Sequence, residues 1–264
     1  MTNIKAHNLP FLETIKRSFV YSVYNFSLFL KVASVALFLV VIEAFNDFPI
    51  LCTLGEGECS QDTINTLTSL FMMFLSIGVI VNYCRSIILK SDIDFYSWSF
   101  IRRSLWYLLA SVAFGLFVFL PFMLFAGVYG YILQLFGWGE VDAVYMLLVL
   151  PLIAWIIYLS PLFMIFVAIT VDDKSMTIKE AFKITKGNSN KIFWGQIIMM
   201  LPCTIAIYAL GTLYQITGAD TYIVKFVYMF ILLALSFLDS CFKASFFAHI
   251  YQYFTFYQKK KMKL

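Results

Sequence analysis

Asp239 and Lys243, in the run Leu238-Asp-Ser-Cys-Phe-Lys243, are ionisable groups inside a long apolar segment. Burying a charge at the centre of a bilayer costs at least about 2.5–3.5 kcal/mol, so such groups are either paired or at work. Their i, i+4 spacing places them on one helix face. Two readings are open. In one, Lys243 snorkels to the interface and holds Asp239, with Arg85 or Lys31 of neighbouring spans, as a polar clamp between helices. In the other, Asp239, Lys243, Arg85 and Lys31 mark a proton or ion path.

Cys52 and Cys59 flank Gly55 and Gly57 in Cys-Thr-Leu-Gly-Glu-Gly-Glu-Cys, a spacing that permits a turn. In an oxidising compartment they could form a disulfide, with a metal site built from Glu56 and Glu58 as the weaker alternative. Cys84, Cys203 and Cys241 fall in or beside apolar runs, where cysteine serves as a small filler. The two histidines, His7 and His249, sit near opposite ends of the chain, so no histidine-based metal spacing exists, and an interfacial or solvated imidazole is expected of His249. Asp172-Asp173 pairs two carboxylates but has no third ligand nearby in sequence. No P-loop, H-E-x-x-H, G-x-S-x-G or paired-cysteine metal pattern is present, so neither a cofactor nor an enzymatic activity is expected.

These residues must be positioned by a membrane architecture. The chain has 264 residues, of which 62% are hydrophobic and only 13% charged, and its mean hydropathy is +0.86. That composition excludes an ordinary soluble domain. Apolar stretches able to cross about 30 Å of hydrocarbon as helices occur at 26–46, 66–89, 104–136, 143–171, 192–217 and 222–250. The fold class expected is therefore all-α: a polytopic helical bundle of six transmembrane helices in three hairpins. The first apolar run ends without a signal-peptidase-like site and is expected to remain as the first span.

Of the 19 lysines and arginines, all but Lys31 and Lys225 fall in the segments 1–25, 85–103, 172–191 and 243–264. The alternate segments hold Glu43, Asp47, Glu56, Glu58, Asp62, Glu140, Asp142 and Asp220. The positive-inside rule then places both termini in the cytoplasm. Basic residues are distributed among the spans, not gathered on one solvated domain, so nucleic acid is not an expected partner. Polar segments with helical cadence at 10–25, 92–103 and 174–187 precede the three hairpins as cytoplasmic interfacial helices. They suggest a single domain, 1–264, of three architectural pseudo-repeats: 10–90, 92–172 and 174–258.

The third such segment is the most patterned. Ile178, Ala181, Phe182 and Thr185 recur at i, i+3, i+4 and i+7, while Lys179, Lys183 and Lys186 fall on another face. A short amphipathic helix is expected, started by Ser175 or Asp173 and stopped by Gly187-Asn188. It reads either as a connector lying on the membrane or as a surface on which Lys179, Lys183 and Lys186 meet anionic headgroups or another membrane protein.

The run Val171-Asp-Asp-Lys-Ser-Met-Thr-Ile-Lys-Glu-Ala-Phe-Lys-Ile-Thr-Lys-Gly-Asn-Ser-Asn-Lys-Ile-Phe-Trp-Gly-Gln-Ile197 resembles a juxtamembrane pattern of YciC-like bacterial inner-membrane proteins. It is similar also to the membrane domain attached to some glycerophosphodiester phosphodiesterases. Ala181, Phe182, Lys183, Thr185, Lys186, Gly187, Ile192 and Gly195 stand at the matching places, and Ala-Ser-Phe-Phe-Ala-His-Ile-Tyr251 resembles the closing aromatic run. Thr185 replaces a more usual serine, and a lysine tail replaces an arginine-rich one. The resemblance implies a multi-pass protein of the bacterial inner membrane with an envelope-related role. It carries over no catalytic residue, because the phosphodiesterase activity resides in a separate domain outside the matched stretch.

Overall fold

A computed structural model describes residues 8–25, 27, 30, 77–90, 97–135, 142–217 and 222–261. Among these the chain is helical throughout, with no strand. In chain order the helices are α1 (Phe11–Tyr24), α2 (Ile77–Leu89), α3 (Trp98–Leu135), α4 (Asp142–Leu159), α5 (Phe163–Thr170), α6 (Ile178–Ile184), α7 (Ser189–Thr217) and α8 (Tyr222–Lys261). Four stretches are long and apolar enough to cross a membrane: Trp98–Val128, Pro151–Thr170, Ser189–Thr217 and Phe230–Phe256. This is the build of a helical membrane protein. The α2 helix is a shorter apolar helix covering the end of the expected span 66–89, while the expected span 26–46, apart from residues 27 and 30, lies outside the described residues.

The prolines act differently according to what replaces their missing N–H. Pro121 and Pro202 sit within continuous helices, whereas Pro161 lies in a 3₁₀ turn, Ser160–Leu162, that separates α4 from α5. Proline leaves the carbonyl four residues back without its helical partner. Here that carbonyl is Ile157, and Ser160 Oγ donates to it at 2.9 Å, sharing its proton with Ser189 O at 2.8 Å on α7. The break is thus satisfied inside the protein, as a lipid environment requires.

The expected helix over 92–103 is not a separate element in its described part. From Trp98 the helix runs unbroken into the span, since no glycine or proline interrupts Trp98–Ser104. At 1.5 Å per residue, the 40 residues of α8 extend about 60 Å, twice the hydrocarbon thickness, so one end must leave the bilayer.

The α8 helix is the axis of the packing. Phe242, Phe246, Ile250 and Phe254 enter a core with Met164 and Val167 of α5, Ala181 of α6, and Ile192 and Met199 of α7. On another side Phe237, Cys241, Ala244 and Ala248 pack against Val79, Tyr83 and Ile87 of α2. Against these, α1 is turned inside out: its buried residues are Thr14, Ser18 and Ser22, while Leu12, Phe19, Val20 and Val23 face outward. Hydroxyls i, i+4 apart satisfy themselves on the preceding turn, as Ser18 Oγ does on Thr14 O at 2.8 Å and Ser22 Oγ on Ser18 O at 3.0 Å. Small residues so satisfied permit close approach between helices in lipid. Ser245 of α8 uses that approach, donating to Ser18 O at 3.0 Å.

The α7 and α8 helices approach closely at Gly195, where a Cβ would lie 2.0 Å from Cζ of the fully buried Phe246. Gly195→Ala should therefore cost about 1–3 kcal/mol through overpacking. Thermal unfolding in detergent checks this; adding Phe246→Leu should recover much of the loss, and an unchanged transition for the single variant would refute the contact.

Candidate functional site

The polar chemistry of the described residues gathers at one end of the bundle, where α2 ends, α3 begins, α5 ends, α7 begins and α8 passes through. Its centre is the turn that closes α5. Asp172 N–H donates to Ile169 O at 3.4 Å and Asp173 N–H to Ala168 O at 2.9 Å, the two bonds of a Schellman stop. Such a stop needs its first residue in the left-handed region, and Asp172 has φ 57°. Glycine is the usual occupant, and aspartate tolerates the conformation better than most residues.

What aspartate adds is a carboxylate aimed at arginines. Arg103 Nε donates to Asp172 Oδ2 at 2.6 Å, while Arg85 Nη1 and Arg102 Nη2 lie 3.7 Å from its two oxygens. Arg85 also donates to Thr170 O at 3.0 Å, satisfying a last-turn carbonyl of α5. Arg103 and Arg85 are largely buried, Arg102 is exposed, and Asp172 is partly open to solvent. One carboxylate therefore ties α2 and α3 to the end of α5.

Asp173 makes the complementary tie. Its Oδ1 accepts from Ser175 N at 2.9 Å and Ser175 Oγ at 2.6 Å, and its Oδ2 accepts from the Tyr251 hydroxyl of α8. Asp173 and Tyr251 belong to the two separate stretches that carry the sequence resemblance. The loop then enters α6. Thr177, not Ser175 or Asp173, is the N-cap, its Oγ1 accepting from Glu180 N at 3.3 Å. Asp173 is occupied instead with the turn at Ser175, too early in the chain to cap. The helix ends earlier than Gly187-Asn188, with Thr185 as its C-cap, and Gly187 at φ 79° and the buried Asn188 turn the chain after it. Asn188 Oδ1 accepts from Leu9 N at 2.9 Å, and Lys191 Nζ donates to Asn8 Oδ1 at 2.5 Å and Leu9 O at 3.0 Å, clasping the segment before α1.

The structure separates the expected site residues into distinct places. Lys179 and Lys183 on α6 and Lys186 in the turn after it are exposed, and Lys183 lies 3.5 Å from Glu180. Ala181 and Thr185 on its other face are fully buried, whereas Ile178 is exposed and Phe182 packs beside Tyr158. Asp239 and Lys243 lie 2.5 Å apart on α8, with Asp239 Oδ1 buried and without a hydrogen-bond partner. Arg85 joins Asp172, not this pair. Lys31, Cys52 and Cys59 lie outside the described residues. Cys84, Cys203 and Cys241 are buried free thiols. No group of three metal-ligating side chains occurs among the described residues.

Of the interfacial or solvated settings expected of its imidazole, His249 does not have the fully solvated one. It sits in the seam between α1 and α8, edge-on to Tyr21 at 5.7 Å, with Nδ1 2.7 Å from Ser245 O. Burial pushes the Tyr21 phenol above its ordinary value, so it stays neutral beside the ring. His249 also lines a cavity of about 630 Å³ between α1, the end of α2 and α8.

No family model, curated protein or solved structure matches this chain.

If Asp172 is the hub, a double-mutant cycle of Asp172→Asn and Arg103→Gln should give a coupling of about 0.5–3 kcal/mol in detergent unfolding. Partial exposure of Asp172 places it toward the lower half of that range. Strict additivity of the two substitutions would remove the hub.

Proposed function

We propose that this chain is a non-enzymatic, multi-pass protein of a bacterial inner membrane with an envelope-related role, acting through lipids or partner proteins at its basic face. In this reading six spans form three hairpins, both termini are cytoplasmic, and the YciC-like resemblance reflects a shared architecture. The observation that carries it is the division of α6. Its Ala181–Thr185 face is fixed in the core while Lys179, Lys183 and Lys186 all project outward.

A helix pinned in this way presents its charges without further ordering, and lysines near an anionic surface each contribute about 1 kcal/mol. Outward-facing Leu12, Phe19, Val20 and Val23 on α1 supply an apolar face at the same end of the bundle. Changing Lys179, Lys183 and Lys186 together to Gln should lower the phosphatidylglycerol retained by the purified protein, measured by lipid mass spectrometry. Unchanged retention with intact folding would count against the lysine surface.

A transporter or channel component is the second reading, favoured by one observation: Asp239 Oδ1 is buried and unpartnered although Oδ2 meets Lys243. If Asp239 carries protons, Asp239→Asn should abolish dye-detected proton flux in proteoliposomes while expression is maintained. Equal flux in both proteins would sink it.

A further inference from the structure

The cavity between α1 and α8 offers a set of groups whose donors and acceptors can be assigned. His249 Nδ1 lies 2.7 Å from a backbone carbonyl, which only accepts, so Nδ1 carries the proton and Nε2 of the neutral ring presents a lone pair. Gln252 spends one of its two amide N–H groups on Ile87 O at 3.1 Å, which fixes the amide and keeps its Oε1 uncommitted as an acceptor. Glu13 adds a carboxylate. Thr14 and Thr255, also on the lining, spend their hydroxyls on Pro10 O and Tyr251 O. Glu13, His249 Nε2 and Gln252 Oε1 are thus acceptors on the lining, and Arg17 is its cationic donor.

Three acceptors beside one guanidinium match a zwitterion. A primary ammonium has three N–H donors, and a neighbouring phosphate takes an arginine. Glu13 and Arg17 are at present paired with each other at 2.5 Å, both more than half exposed. A pair so open contributes little, so a ligand bringing both a cation and an anion can replace it. A volume of about 630 Å³ accommodates such a headgroup, falling within the ~300–1,000 Å³ usual for small-ligand sites. Ile88 and the exposed Phe256 provide apolar wall for the glycerol and the first acyl carbons beyond the phosphate.

We infer that this cavity binds the headgroup of an aminophospholipid, its primary ammonium held by Glu13, His249 Nε2 and Gln252 Oε1 and its phosphate by Arg17. The inference rests on the membrane reading above and is independent of the lysine surface. A lipid is favoured over a free amine because the cavity adjoins α1, whose outward face is apolar, so that acyl chains have somewhere to go.

Native mass spectrometry of the full chain, titrated in detergent with three lipids, tests it. Phosphatidylethanolamine should bind about tenfold more tightly than phosphatidylcholine, whose quaternary nitrogen has no N–H, a difference of about 1.4 kcal/mol. Phosphatidylglycerol, anionic but without an amine, should behave like phosphatidylcholine at this site. Glu13→Gln should bring phosphatidylethanolamine down to the phosphatidylcholine level, and Arg17→Gln should weaken both. Lys179, Lys183 and Lys186 changed to Gln should leave the ethanolamine-to-choline ratio unaltered, which separates failure here from failure of the lysine surface. Equal binding of the ethanolamine and choline lipids, or an indifferent Glu13→Gln, overturns the inference. Displacement of the lipid by millimolar soluble phosphoethanolamine would assign the site to a free metabolite and overturn the lipid.

Discussion

A membrane helix that ends must do something with its last carbonyls, and in this protein the solution for α5 organises everything around it. The Schellman turn satisfies two of them through backbone bonds, and Arg85 satisfies a third. Placing aspartate where glycine would be easier costs about 1–2 kcal/mol in backbone strain. In exchange the turn gains a carboxylate that three arginines from two other helices can reach. With Asp173 directed the opposite way onto Tyr251, two consecutive residues connect α2, α3, α5 and α8. In lipid the apolar surfaces gain little by meeting one another, so such polar ties set which helix ends lie together.

The same logic explains α1. Its hydroxyl face would be called the solvent side in a soluble protein, yet Thr14, Ser18 and Ser22 are the buried residues and the leucine, phenylalanine and valines are outside. Next to a bilayer the outward environment is apolar, and the protein interior is where a small, self-satisfied serine packs well. Ser160 beside Pro161 serves in a similar way, supplying the proton the proline lacks and bonding α7 at the same time. The buried hydroxyls of α1 and of Ser160 therefore mark helix contacts, not exposure to water.

Hydropathy made the helical membrane class legible, along with four of the expected spans. Local chemistry made legible the turn that follows α6, where Gly187 takes a left-handed φ that few other residues accept, although the helix itself ends earlier, at Thr185. The i, i+4 spacing of Asp239 and Lys243 likewise led to the observed pair. What spacing did not reveal was any tie between distant segments. Asp172 and Arg103 are 69 positions apart, and Asp173 and Tyr251 78, so no periodicity links them. The available clue was electrostatic: two adjacent acids stand within a segment otherwise rich in lysine, and an acid there has cations to meet. Ser175 and Asp173 are as good N-caps as Thr177 by residue type, but only Thr-Ile-Lys-Glu180 has the spacing of a capping box, and it is Thr177 that caps. Residue type alone also did not separate Pro121 and Pro202, which sit within continuous helices, from Pro161, which lies in a 3₁₀ turn.

The distribution of burial separates surfaces of two kinds. The α3 and α7 spans bury little of their surface within the protein, and α8 with the end of α5 much more. The outward faces of α3 and α7 are the kind of surface that lipid covers without specificity, as the run of exposed Leu109, Val112, Leu116 and Leu120 illustrates. Specific recognition requires groups whose geometry is fixed before a ligand arrives. Here those groups belong to the turn at Asp172–Asp173, the pinned α6 and the serine seam of α1. The seam holds His249 in one tautomer through a backbone carbonyl of its own helix, and Gln252, about one turn further along, is oriented by Ile87 of α2. Bonds that assemble the bundle thereby orient two of the side chains that line the cavity.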